Sequence, residues 1–241
     1  MKKSIRFFAI AFLLSSLAHA QAVRDFVIEP PIQPNLYIYK TFGVFGGKEY
    51  SANAAYLITK KGVVLFDVPW QKKRISKPYG HHKKKRHNLP VIAVFATHSH
   101  DDRAGDLSFY NAKGIKTYAT AKTNELLKKE GKATSTEIIR TGKPYRIGGE
   151  EFIIDFLGEG HTADNVVVWF PKYKVLDGGC LVKSRTATDL GYTGEANVAQ
   201  WPQTIARLKS KYGKAALVIP GHDEWKGGGH IERTEELLNK K

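Results

Sequence analysis

The chain of 241 residues has a formal net charge of +15, and most of that excess is local. Lys72, Lys73, Arg74, Lys77, Lys83, Lys84, Lys85 and Arg86 share one stretch without an acidic residue, and Lys2, Lys3 and Arg6 another, which leaves no chain-wide basic surface for nucleic acid. A single cysteine, Cys180, excludes an intramolecular disulfide, and no run beyond residue 20 is long and apolar enough to span a bilayer.

Residues 1–20 read as a secretory signal peptide. Lys2, Lys3 and Arg6 form its basic start, residues 7–17 its apolar core, and Ala18-His19-Ala20 its cleavage site. The mature domain is placed at 21–241, exported, and long enough for a substantial core. An opening strand is predicted within 26–40, clearest at Leu36-Tyr37-Ile38-Tyr39. Residues 42–48 suggest a hairpin around glycines whose tip carries Val44 and Phe45, either tucked into the protein or used as a flap over a ligand. Strands follow at 54–59 and 63–66, and Asp67 either supports a site or caps the next turn.

Residues 71–88 break the pattern. An amphipathic helix should link two buried strands here, yet Ile75 and Tyr79 are the only clear apolar anchors, and Pro78 and Gly80 interrupt the middle, so a short or irregular helix is predicted. A buried strand at 91–95 comes next, then helices at 106–113 and 121–130 flanking a strand at 116–119. Hairpins are predicted at 145–156 and 166–176, a helix at 198–211, a strand at 216–219 and a helix at 231–240. Hairpin strands mixed with strands that alternate with helices indicate a mixed α/β architecture.

Thr97-His98-Ser99-His100-Asp101-Asp102 stands at the carboxyl end of the 91–95 strand, where α/β folds commonly place ligands. Imidazoles beside carboxylates suit a borderline divalent metal, zinc first. In an extended chain Asp102 would lie roughly 13 Å beyond His98 at about 3.3 Å per residue, whereas metal bonds are about 2.0 to 2.2 Å long. Either the chain turns sharply after His100, or His98 and Asp102 serve different metals. Three further stretches repeat the order strand, glycine, metal-competent side chain, and lead to His161, Cys180 and His222. The other histidines of the mature chain, His81, His82, His87 and His230, are expected to be solvated. Six ligands match two zincs with three each: His98, His100 and His161 on one, and Asp102, Cys180 and His222 on its neighbour.

His98-Ser99-His100-Asp101-Asp102, Gly160-His161-Thr162-Ala163-Asp164-Asn165, Gly178-Gly179-Cys180-Leu181-Val182-Lys183 and Pro220-Gly221-His222 resemble the class B metallo-β-lactamases of the subclass with a three-histidine and an Asp-Cys-His zinc site. The likeness covers nearly all of the mature chain and is strongest to the IND-type carbapenemases. It implies a four-layer αββα sandwich, two mixed sheets with helices outside, holding two zinc ions per chain. It also implies a periplasmic monomer that hydrolyses penicillins, cephalosporins and carbapenems and so confers antibiotic resistance. In that resemblance the first zinc activates the attacking water and the second stabilises the nitrogen released when the ring opens. Asp102 is then catalytic as well as a ligand, and Lys183 binds the carboxylate beside the lactam ring.

Thioesterases and nucleases of the same superfamily are the enzymatic alternative. They typically carry a histidine directly after the motif aspartate and a metal-bridging aspartate later, where this chain has Arg103 and Cys180; both differences favour the lactamase. The non-enzyme alternative is a cationic exported protein binding anionic surfaces through residues 72–86, but no aromatics alternate there to stack bases. Two features depart from the resemblance. Tyr192 follows Asp189-Leu190-Gly191, where many relatives have an asparagine that helps hold the lactam carbonyl. Residues 71–84 lack the relatives' amphipathic helix although their flanks match, and the hypothesis is a pair of compensating frameshifts in the gene or its reported sequence; other reading frames that restore no such helix would reject it.

Overall fold

Alternating apolar side chains build two sheets in a computed structural model that describes residues 26–70 and 89–240. The predicted signal peptide and the irregular stretch at 71–88 lie outside the described residues. Strands β1 (Val27–Ile28), β2 (Leu36–Phe45), β3 (Lys48–Thr59), β4 (Gly62–Phe66), β5 (Val91–Phe95), β6 (Lys116–Ala119) and β7 (Glu137–Ile138) form one sheet in sequence order. Pairing is antiparallel from β1 to β4 and parallel from β4 to β7. The second sheet, ordered β12-β11-β10-β9-β8, contains β8 (Pro144–Ile147), β9 (Glu150–Asp155), β10 (Val167–Phe170), β11 (Val175–Gly179) and β12 (Leu217–Pro220). Only its β11–β12 pair is parallel. Helices α1 (Asp101–Ala104), α2 (Ser108–Asn111), α3 (Ala121–Lys129), α4 (Trp201–Tyr212) and α5 (His230–Leu238) complete the described elements.

The period of two along each strand sorts side chains into three cores, and three cores separate four layers. Leu36, Ile38, Val64 and Phe66 of the first sheet face Phe152, Ile154, Val168 and Phe170 of the second. Their neighbours Tyr37, Tyr39, Val63 and Leu65 turn the other way, onto Leu107, Tyr110 and Leu127. On the far side Val167 and Leu176 meet α4 and α5. In α4 the buried residues Trp201, Ile205, Leu208 and Tyr212 form one stripe at helical spacing. The arrangement is the αββα sandwich with two mixed sheets. Phe66 packs edge-on against Phe152 at 4.9 Å and Phe170 at 5.1 Å, and Phe95 against Phe152 at 5.1 Å. Such pairs contribute about 0.5–1.5 kcal/mol each beyond area burial, and they fix the sheets relative to each other at the strand ends.

Some predicted boundaries shift. The helix expected at 106–113 is only α2, because the Asp106 carboxylate accepts the Ser108 amide at 3.1 Å and forms a turn first. The helix expected from 198 begins at Trp201, since a turn closed by Asn197 comes first: its side chain accepts the Gln200 amide at 3.1 Å and its carbonyl the Trp201 amide at 2.9 Å. The hairpin strands extend through Phe45, with Gly46-Gly47 as the turn, so Val44 and Phe45 are the exposed last residues of β2.

Candidate metal centre

Each predicted ligand lies at or just beyond a strand end on one edge of the sandwich. His98 and His100 follow β5, and α1 then turns the chain sharply so that Asp102 comes back toward them. His161 follows β9, Cys180 directly follows β11, and His222 lies two residues beyond β12. Cys180 depends on glycine on both sides. Gly179 holds a left-handed φ of 51° that few other residues adopt. A Cβ on Gly221 would fall 2.6 Å from the Cys180 amide nitrogen and 2.8 Å from its Sγ, so only glycine lets the two loops close.

The six side chains form two adjoining groups. His98 Nε2 and His161 Nε2 each lie 3.2 Å from His100 Nδ1. Ligand nitrogens about 2.0–2.1 Å from one tetrahedral zinc would be about 3.3 Å apart, so these three could hold an ion. Cys180 Sγ is 3.1 Å from His222 Nε2 and 3.5 Å from Asp102 Oδ2, and His222 Nε2 is 3.4 Å from the same oxygen. His98 also offers a nitrogen within 4.8 Å of Asp102 and Cys180, so the groups share a border there. His222 belongs with Asp102 and Cys180 by its own shorter separations.

Electrostatics suit a cation. Burial, then neighbouring charges, lowers the His98 and His161 imidazoles well below their ordinary value, and burial lowers His222 to about 4; all three present neutral rings with free lone pairs. Burial alone would raise Asp102, but the Arg103 guanidinium beside it holds it well below the usual carboxylate range. Burial pushes the Cys180 thiol up to about 12 against the opposing pull of Arg103. A divalent cation is the species that would deprotonate such a buried thiol.

Arg103, marked in the sequence only as a family discriminator, is the framework of the second group. Fully buried, its Nε donates to Asp102 Oδ2 at 2.9 Å, its Nη1 to Asp67 Oδ2 at 3.1 Å and the Asn53 carbonyl at 2.6 Å, and its Nη2 to the Gly221 carbonyl at 2.6 Å and Cys180 Sγ at 3.1 Å. These contacts occupy all five donors of a guanidinium. Asp67 also accepts the Thr97 amide at 2.7 Å and its hydroxyl at 3.1 Å, so it supports the site from beneath rather than capping a turn.

The clusters open into a cavity of about 970 Å³ lined by Phe45, Trp70, His100, Lys183, Tyr192 and His222 among others. Phe45 meets the edge of Tyr192 at 5.5 Å, and Tyr192 lies 5.9 Å from His100, so the hairpin tip reaches the cavity mouth while Val44 stays exposed. Lys183 is largely buried, with Nζ 5.1 Å from the Trp201 ring centroid; burial lowers its ammonium, and Cys180 and Asp102 oppose this. Helix α5 holds the loop carrying it. The Lys183 amide donates to Thr234 Oγ1 at 2.8 Å and the Arg185 amide to His230 Nδ1 at 2.9 Å. His230 is therefore not solvated as its glycine-rich setting suggested: it is buried, with its second nitrogen 3.2 Å from the Trp225 carbonyl. Expected-solvated His81, His82 and His87 lie outside the described residues.

Comparison with known proteins follows the same lines. The family described as the Metallo-beta-lactamase superfamily matches residues 49–222. The chain is 79% identical over the whole length of both proteins to Metallo-beta-lactamase IND-1 of Chryseobacterium indologenes. It is 42% identical to Metallo-beta-lactamase type 2 of Elizabethkingia meningoseptica, covering all of this chain and 96% of that one. Among solved structures, metallo-beta-lactamase IND-7 superposes with a TM-score of 0.88 at 80% identity, over 90% of this chain and 100% of that one. A metallo-beta-lactamase from Pontibacter korlensis, 32% identical, gives 0.86 over 90% and 100% of the two chains.

Proposed function

The chain belongs to the metallo-beta-lactamase superfamily, as a class B enzyme of IND type, and we propose that it opens β-lactam rings with two zinc ions held by its own six side chains. The protein is a β-lactam hydrolase that confers antibiotic resistance, and the substrate classes of this reading are penicillins, cephalosporins and carbapenems. His98, His100 and His161 would hold one ion, and Asp102, Cys180 and His222 the other. The observation that carries this assignment is the convergence of His98 Nε2 and His161 Nε2, each 3.2 Å from His100 Nδ1, beside the Asp102, Cys180 and His222 group.

Zinc, when bound, lowers the pKa of a coordinated water to about 7 and stabilises negative charge as it develops. The chain supplies the rest. Arg103 keeps Asp102 ionised, so this carboxylate, bordering both groups, is the catalytic residue that accepts a hydrogen bond from the attacking water. Lys183 lines the cavity and binds the carboxylate beside the lactam ring through a charge-assisted contact. Tyr192, in the place of the relatives' asparagine, leaves polarisation of the lactam carbonyl to metal, water or backbone.

The same reading makes residues 1–20 a signal peptide and residues 21–241 one monomeric domain exported to the periplasm. Among the described residues no helix is long and apolar enough to cross a membrane.

Turnover of the chromogenic cephalosporin nitrocefin should disappear with chelator and return with zinc, and His98→Ala should lower kcat/KM more than about 100-fold. Near-normal turnover in that variant would overturn the assignment. A salt-sensitive DNA complex without turnover would favour the cationic binding protein instead.

A further inference from the structure

Four imidazoles carry the two groups, and each turns one nitrogen outward. His222 Nδ1 donates to the Ser51 carbonyl at 2.6 Å. Among the described residues His98 Nδ1 meets the Thr97 hydroxyl alone, at 3.5 Å, and His161 Nδ1 is buried with no hydrogen-bond partner. His100 differs from all three. It points Nδ1 rather than Nε2 at its group, and its outward Nε2 meets the Glu195 carboxylate at 2.7 Å. His100 is also the most exposed of its three-histidine group, so packing alone orients it least.

Glu195 lies on the chain between β11 and α4, which also supplies Lys183 and Tyr192 to the cavity. Its side chain is half exposed, and a surface carboxylate held at one imidazole loses freedom that the contact must offset. A carboxylate on the outer nitrogen of a ligating histidine does two things: it fixes the proton there, leaving the inner lone pair free, and it makes the ring a stronger ligand.

We propose that Glu195 is a positioning residue: it accepts the Nε2–H of His100, aims Nδ1 at the metal, and ties the cavity loop to the metal site. This rests on the three-histidine reading given above. Because the contact joins a ligand to a loop, metal binding and loop order are two sides of one coupling: whatever the loop contributes to metal affinity, the metal returns to loop order.

The test uses the full mature enzyme with Glu195→Ala and Glu195→Gln, zinc affinity from competition with a chromophoric chelator, and hydrogen exchange of residues 189–197 with and without zinc. Glu195→Ala should weaken one of the two zinc sites by about 10- to 100-fold, and zinc should slow exchange in the wild-type loop but not in this variant. Glu195→Gln keeps a carbonyl acceptor and should recover part of both effects. Wild-type affinity in Glu195→Ala overturns the proposal, and lost affinity with loop protection intact overturns the coupling. Failure of the wild-type enzyme to bind zinc would instead remove the three-histidine reading itself.

Discussion

The two ligand groups meet at His98 yet are built by opposite means. The three-histidine group consists of imidazoles, two of them held neutral by burial, placed by strand ends with few bonds to their outward nitrogens. In the Asp102, Cys180 and His222 group, Arg103 spends two donors on Asp102 and Cys180 and three on Asp67, Asn53 and Gly221, while His222 is held by the Ser51 carbonyl. Each group takes ligands from both halves of the sandwich. The second group therefore owes its shape to protein charge, whereas the first has lone pairs facing one another and owes its cohesion to the ion it would hold.

Metal removal is the broadest way to break this contrast. A ligand present at 100 times its Kd stabilises by about 2.7 kcal/mol, so two zincs amount to about 5 kcal/mol. Chelation should lower Tm by roughly 10–20 °C, at about 2–4 °C per kcal/mol for a domain of this size. A melt indifferent to chelator would mean that neither group staples the sheets. Next comes Arg103→Ala, which leaves Asp102 and Asp67 buried without their cation and should cost about 3–5 kcal/mol. That loss should persist in metal-free protein, because the framework is the protein's own. An unchanged metal-free melt would contradict the role assigned to Arg103.

Cys180→Ser separates the groups more finely. A hydroxyl replaces the one sulfur ligand, and the second zinc should weaken by at least about tenfold, or about 1.4 kcal/mol, while the three-histidine zinc stays. Mass spectrometry should show the metal content of dilute samples falling from two ions toward one. Equal loss of both would mean that the groups are not independent.

The ligand set was legible in the sequence because its residue types declare their chemistry and each follows a strand, three of them beside a glycine. Strand faces were legible for a similar reason: Leu36 and Ile38 against Tyr37 and Tyr39 is a pattern of period two that one buried face imposes. Arg103 was legible as a residue but not as a framework, since its carbonyl partners Asn53 and Gly221 lie 50 and 118 residues away. His230 and Glu195 were opaque for the same cause. A histidine among glycines and a glutamate in a polar loop carry no local sign of the amide or imidazole that tertiary structure brings to them. Strand β7, two residues long, exists only through its pairing with β6.

The smallest predicted effect is the most discriminating. Thr97 is next to His98 in sequence, but its hydroxyl donates to Asp67, at 3.1 Å, on the Arg103 side of the site. Thr97→Val keeps the shape and removes the hydroxyl's hydrogen bond to Asp67 together with its longer 3.5 Å contact to His98 Nδ1, leaving Asp67 with the Thr97 amide and Arg103, at a cost of about 1 kcal/mol. Burial raises Asp67 to about 6, with Arg103 and both Thr97 hydrogen bonds pulling it down. A carboxyl raised in the folded state loses stability as pH climbs from its unfolded value of about 4 through its folded one. Removing a donor raises it further, so in metal-free protein the gap between variant and wild type should be wider at pH 8 than at pH 5 in urea melts. If Arg103 is the framework, any loss of metal affinity should fall on the Asp-Cys-His group. Loss confined to the three-histidine group would show that the hydroxyl acts through its 3.5 Å contact with His98 Nδ1, not through Asp67 and the buried guanidinium.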